Sequence, residues 1–227
     1  MTDQRPRTAL VAGASGLVGG ELFELLLADP IVGRVHSLVR RPSGRTDPAL
    51  AEQIVDFAQL SAAALPPRAD EAYCCLGTTM RAASSREAFR RVDHDYVVAF
   101  GKLALALGAR SLAVVSSVGA DPAARSFYLR TKGEMERELR SLGLPSLVIL
   151  RPSLLLGDRR QARLGERAGE LGLRLASPLL KGSLARYRPV HARTVARAAV
   201  AAGRGAAAGV LILEHAELER WAATPAG

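Results

Sequence analysis

An apolar run at residues 8–12 leads directly into Gly13-Ala14-Ser15-Gly16-Leu17-Val18-Gly19. The stretch that follows, 17–28, has helical periodicity and stops at Asp29-Pro30. Few folds accommodate that junction. A short strand without polar alternation must be buried on both faces. Three glycines at Gly-x-x-Gly-x-x-Gly spacing then turn the chain back into a helix. The first permits the tight turn, the second lets a ligand approach the backbone, and the third lets helix and strand pack closely. The helix start presents unpaired N–H groups and a partial positive charge, which suit the pyrophosphate of a dinucleotide. Gly13, Ser15, Gly16, Leu17, Val18 and Gly19 are the candidate phosphate-binding residues.

The same alternation continues along the chain. Residues 34–39, 52–55, 71–76, 111–115 and 146–150 read as strands. Helices are expected at 57–64, 84–107 and 126–142. Ser84 and Glu87 have capping-box spacing, and Gly108 and Gly143 follow helix ends as C′ residues. Strand–helix alternation with uniformly apolar strands predicts an α/β fold. The expected architecture is a Rossmann-type doubly wound parallel sheet, helices on both faces, with a small C-terminal substrate-side segment. Beyond Arg151 the pattern loosens, with helices expected at 159–175 and 195–202 and a strand at 210–213. At 227 residues, without linker or repeat, the chain is expected to form one NAD(P)-binding domain, 1–227. Residues 151–227 contribute its substrate-side elements.

The net charge of +9 raises nucleic acid as a partner. The pattern argues against it. Only Lys102, Lys132 and Lys181 are lysine, the arginines are scattered, and aromatic residues make up 4%. No apolar run is long enough to cross a bilayer, and no leader pattern opens the chain, so neither membrane nor export is expected. Cys74 and Cys75 are adjacent in a strand and point to opposite faces, which does not suit a disulfide between them. Without nearby histidines they do not suit a metal either, so no metal site is expected. A reducing cytoplasm fits.

The end of the second strand bears on the cofactor. A carboxylate about 20 residues past the glycines would hydrogen-bond a ribose 2′-hydroxyl and indicate NAD. Here that place holds Arg40 and Arg41, and two guanidiniums suit a 2′-phosphate. NADP(H) is therefore expected ahead of NAD(H).

Tyr128 and Lys132 stand four apart in a predicted helix, one turn apart on one face. Ser116 and Ser117 close the strand before it. A phenol ordinarily ionises near pH 10, and a neighbouring ammonium favours the phenolate. Such a tyrosine can exchange a proton with a carbonyl or alcohol oxygen while hydride moves at the adjacent carbon, and a serine can hold that oxygen.

Together these segments resemble the short-chain dehydrogenase/reductase superfamily, and more narrowly the Tat-interactive-protein-like oxidoreductases, an atypical branch. The likeness rests on the glycine turn and on Val55-Asp56-Phe57, Cys74-Cys75-Leu76-Gly77-Thr78-Thr79 and Arg91-Val92-Asp93-His94-Asp95-Tyr96. It continues in Ser116-Ser117-Val118-Gly119-Ala120-Asp121, Phe127-Tyr128-Leu129 with Lys132-Gly133-Glu134, and Arg151-Pro152-Ser153 with Leu156-Gly157-Asp158-Arg159. The resemblance implies that Leu17 and Val18 give backbone contacts to the pyrophosphate and that Asp56 lies near the adenine. It implies that Leu76, Gly77 and Thr78 line the phosphate and nicotinamide-ribose side, and that Pro152 lies beside the nicotinamide. It also implies that Tyr128 is the acid–base, with Lys132 its partner and a ribose ligand. The superfamily usually uses the second of two such serines, so Ser117 is expected, with Ser116 the alternative.

Asp93 and Asp95 read as cofactor-side polar residues or solvated charges rather than a catalytic carboxylate pair. The expected function is an NADPH-dependent oxidoreductase acting on a small carbonyl or alcohol; the sequence leaves the oligomeric state open, with a homodimer as one option. The other reading is a dinucleotide-binding regulatory or protein-interaction module with little turnover, since no substrate motif is visible.

Overall fold

The computed structural model describes residues 5–62, 68–157, 182–205 and 207–225. The predicted helix at 159–175 lies outside them. The first half runs β1 (Arg7–Ala12), α1 (Leu17–Leu27), β2 (Val32–Val39), β3 (Leu50–Ile54), β4 (Glu71–Cys74), α2 (Met80–Ala83) and α3 (Arg86–Arg90). A π-helical turn, Arg91–Asp95, joins α3 to α4 (Tyr96–Ala106). Then come β5 (Ser111–Val115), α5 (Phe127–Ser141), β6 (Ser146–Leu150), β7 (Leu155–Leu156), β8 (Val190–His191), α6 (Ala192–Gly205), β9 (Gly209–Leu213) and α7 (His215–Ala222).

Seven strands form one parallel sheet in the order β3-β2-β1-β4-β5-β6-β9. The order reverses between β1 and β4, and ligands of such sheets bind at the carboxyl end of that crevice. Alternate residues of each strand feed two cores. Ala9 and Val11 face the layer made by α1 and α6, with Leu22, Leu26, Val195 and Ala199. Leu10 and Ala12 face Phe100, Leu103, Met135 and Leu139 of α4 and α5. Each fully buried aliphatic or aromatic side chain contributes about 1.5–3 kcal/mol. This two-sided burial explains why the central strands are uniformly apolar.

The segment after Arg151 completes the sheet. Its β9 is the seventh strand of the sheet and its α6 covers one face. At the opposite edge from the glycine turn, buried Arg204 of α6 forks onto Glu71 of β4, with both bonds at 2.9 Å, and reaches Asp29 at 2.6 Å.

Several expected elements differ. The helix at 57–64 is a single 3-10 turn, Phe57–Gln59, because Asp56 caps Ala58 and Leu60 returns to extended backbone; residues 63–67 lie outside the description. The helix expected from 84 to 107 is broken into α3, the π turn and α4. Ser84 is not its cap: at φ 67° it ends α2. The cap is Ser85, whose Oγ accepts from Ala88 N–H at 3.1 Å. The pairing of β7 with β8 in a second small sheet, and α7 itself, were not legible from periodicity.

Candidate functional site

The glycine turn is built by contacts that only glycines allow. Gly13 has φ +85°, and a Cβ there would lie 2.5 Å from the carbonyl carbon of Cys75. A Cβ on Gly19 would lie 2.0 Å from the Gly13 oxygen. Gly16 N–H donates to that oxygen at 3.0 Å. Gly16 then stands extended as the N-cap of α1, with no side chain capping the helix. The N–H groups of its first turn are left to a ligand or to water. Ser15 is exposed on the turn, while the Val18 side chain enters the core. Leu17 packs close over Gly157, where an added Cβ would meet its Cδ1 at 2.9 Å.

Beside the ends of β2 and β3, Arg40, Val55, Asp56, Phe57, Ala88, Arg91, Val92 and Tyr96 line a cleft of about 170 Å³. The Phe57 and Tyr96 rings stand 5.8 Å apart there. Asp56 Oδ1 accepts from Ala58 N–H at 2.9 Å, which fixes the wall of the cleft. Arg41 is exposed and does not line it. Arg91 does, from the start of the π turn.

The remaining expected residues gather at the carboxyl ends of β4, β5 and β6. Lys132 is 3% exposed. Its Nζ lies 2.8 Å from Oδ1 of Asp93, in a buried ion pair. Burial pulls its proton affinity down, and the opposing fields of Asp93 and Tyr128 more than offset this, so the ammonium is held above its ordinary value. Asp93 Oδ2 accepts Thr78 N–H at 2.8 Å. A Cβ on Gly77 would lie 3.3 Å from Asp93 Oδ1 and 3.8 Å from Lys132 Nζ. The strap 76–78 after β4 therefore lies against both charged groups. Tyr128, one turn before Lys132, rests its half-buried ring on Phe89 of α3, with centroids 5.5 Å apart.

The two serines are engaged differently. Ser116 is buried and its hydroxyl donates to Glu136 at 2.6 Å. Ser117 is half-buried, and its Oγ makes only a long contact, 3.4 Å, to the Val118 carbonyl. Glu136 also binds Arg151 Nε at 2.9 Å and Nη2 at 2.5 Å. Val118 N–H donates to Pro152 O at 3.0 Å, and Asp121 N–H to Leu129 O at 3.2 Å. The Ser117 loop is thus tied to β6 on one side and α5 on the other. A Cβ on Gly133 would lie 2.2 Å from the Asp121 carbonyl carbon, so α5 sits hard against that loop.

No family model matches the chain. Individual relatives do. Protein HTATIP2 of Rattus norvegicus is 35% identical over 164 residues, covering 70% of this chain and 67% of that protein. The mitochondrial Protein FMP52 of Coccidioides immitis is 32% identical over 216 residues, covering 89% and 87%. The chain belongs to the HTATIP2/FMP52 family.

That family is an atypical branch of the short-chain dehydrogenase/reductases, as the sequence motifs implied. Solved structures agree on the fold. MoeE5, seen with UDP-glucuronic acid and NAD, matches with a TM-score of 0.68 at 20% identity, covering 91% of this chain and 75% of that one. A short-chain dehydrogenase/reductase superfamily protein from Agrobacterium tumefaciens with bound NAD matches at 0.66 and 18% identity, covering 91% and 77%. No described helix is long and apolar enough to cross a membrane, and the described residues contain no metal-ligand cluster.

In this member of the HTATIP2/FMP52 family, one side chain at the site escapes sequence reasoning: Arg91 has no role in that reading, and it lines the cleft from the start of the π turn. Asp93, read as a cofactor-side polar residue or a solvated charge, is buried against Lys132 and not solvated. The cysteines are free thiols, Cys74 buried and Cys75 partly exposed. Burial pushes the Cys74 thiol up to about 12, and burial and Cys74 raise Cys75 further.

Proposed function

We propose that the chain is an NADPH-dependent oxidoreductase acting on a small carbonyl or alcohol substrate, with Tyr128 as its acid–base. One observation carries this reading: a buried ammonium, Lys132, stands one helical turn from Tyr128 and against the 76–78 strap. The residues present fit a dinucleotide. The turn packs its backbone so closely that Gly13 and Gly19 leave no room for a Cβ, and the first turn of α1 has no side-chain cap, so its N–H groups are open to phosphates. Bound there, the nicotinamide would supply or accept hydride. Tyr128 gives a proton to the substrate oxygen or takes one from it, and Ser117 hydrogen-bonds that oxygen. Ser116 is the weaker choice, since its hydroxyl is already committed to Glu136.

The choice of NADP(H) over NAD(H) rests on Arg40 and on Arg91, which replaces the exposed Arg41 as the second guanidinium at the cleft. Within the same proposal the compartment is the cytoplasm, and imaging of a tagged chain tests it, since the fungal relatives are named mitochondrial.

Titration with NADPH and NADH, followed by a panel of aldehydes and ketones, tests the reading. Tighter NADPH binding and substrate-dependent NADPH oxidation are expected. Tight NADPH binding with no turnover across the panel would favour the regulatory module.

A further inference from the structure

Lys132 poses a problem that its helix does not solve. Burying an ammonium without compensation is costly, and such a lysine ordinarily gives up its proton instead. The groups facing it are few. Tyr128 comes from its own helix, the Cys74 thiol from β4, and Asp93 from the π turn. Cys74 is held as a neutral thiol by burial. The strap contributes the backbone of Gly77. Asp93 is therefore the strongest source of negative charge in contact with Lys132, and it is 1% exposed.

We infer that Asp93 is a positioning residue: the dedicated counter-ion that keeps Lys132 an ammonium and ties it to the 76–78 strap. Its two oxygens divide the work, Oδ1 beside Nζ and Oδ2 on Thr78 N–H, both at 2.8 Å. The π turn makes this possible. It buries Asp93 and His94 together while leaving Asp95 exposed. π-helical insertions frequently mark functional sites. Asp93 does not meet the substrate; it acts through Lys132 and the strap. Without it, burial dominates, Lys132 gives up its proton at a lower pH, and Tyr128 loses its cationic partner there.

This rests on the oxidoreductase reading only for its catalytic consequence, so the test begins with ionisation in the free protein. The chain has three lysines, Lys102, Lys132 and Lys181. With 15N-labelled lysine, the Nζ resonance of Lys132 is assigned by its loss in Lys132→Met and followed against pH. In the wild type, Lys132 is expected to keep its proton to a higher pH than exposed Lys102. In Asp93→Asn the transition is expected at least about two pH units lower, and Asp93→Glu should restore much of the difference. The rate of NADPH oxidation in Asp93→Asn should fall over the same lowered pH range, with Asp93→Glu again recovering it.

An Asp93→Asn variant that folds and titrates like the wild type would overturn the inference. If that variant does not fold, the wild type alone decides, since loss of the Lys132 proton before that of Lys102 would also overturn it. A protein without turnover that shows the NMR shift would keep the counter-ion role and remove only the oxidoreductase reading.

Discussion

Arg40 lines the cleft beside β2 and β3, and Asp93 lies against Lys132 and the 76–78 strap. A guanidinium on a 2′-phosphate contributes a charge-assisted bond of about 1.5–3 kcal/mol. Arg40→Ala should therefore weaken NADPH binding about ten- to a hundredfold by fluorescence titration while leaving NADH nearly unchanged. The Asp93–Lys132 pair also gives a pH signature in stability. Lys132 is raised in the folded chain. Its contribution is fully present below the unfolded lysine value, about 10.4, and is lost as pH rises through the folded value. In Asp93→Asn the folded value lies below the unfolded one, so the sign reverses and stability rises with pH towards 10.4. Urea melts at pH 8 and pH 10 should show the gap between variant and wild type narrowing. The cysteines give a simpler check. With Cys74 pushed to about 12, the native protein should resist iodoacetamide at pH 8, and both thiols should react after unfolding, as counted by mass spectrometry.

The elements explain what could be read beforehand and what could not. β1, β5 and β6 are legible because each is buried on both faces and shows an unbroken apolar run. The glycine turn is legible because three glycines and a strand–helix junction lie within one local segment. Gly19→Ala should cost at least about 1–3 kcal/mol, because its Cβ would lie 2.0 Å from the Gly13 oxygen, and it should abolish dinucleotide binding. A denaturant melt and an NADPH titration check the two effects. The π turn is not legible. Residues 84–107 keep helical periodicity on both sides of it, and a local change of pitch barely alters that pattern. Arg91 was left without a role, and the contact of Asp93 with Lys132 unseen, for that reason. The capping error has a similar origin, since Ser84 and Ser85 are adjacent and only backbone geometry tells which one caps. β7 and β8 are two residues each, too short to carry a period.

At the scale of the whole chain, the expected site residues gather at one edge of the sheet and a buried ion-pair cluster closes the other. The glycine turn, Ser117, Tyr128, Lys132 and Pro152 lie at the carboxyl ends of the central strands. Arg204 with Glu71 and Asp29 closes the other side, and Arg204 and Glu71 are each 3% exposed. Removing one partner of a buried pair costs up to about 3–5 kcal/mol. Arg7, 3.5 Å from Glu71, should recover part of that loss. Arg204→Met should therefore lower thermal stability markedly and leave the NADPH dissociation constant unchanged. The parallel, two-sided packing of the strands up to β6 follows from the alternation of the sequence. The position of β9 beside β6 does not, because its short apolar run carries no information about its neighbour.

The most direct test of the central claim compares Tyr128→Phe with the wild type in one preparation, measuring the NADPH dissociation constant and the turnover number with the best carbonyl of the panel. The account predicts an unchanged dissociation constant and a turnover number lower by at least about a hundredfold. Full turnover in Tyr128→Phe would contradict it.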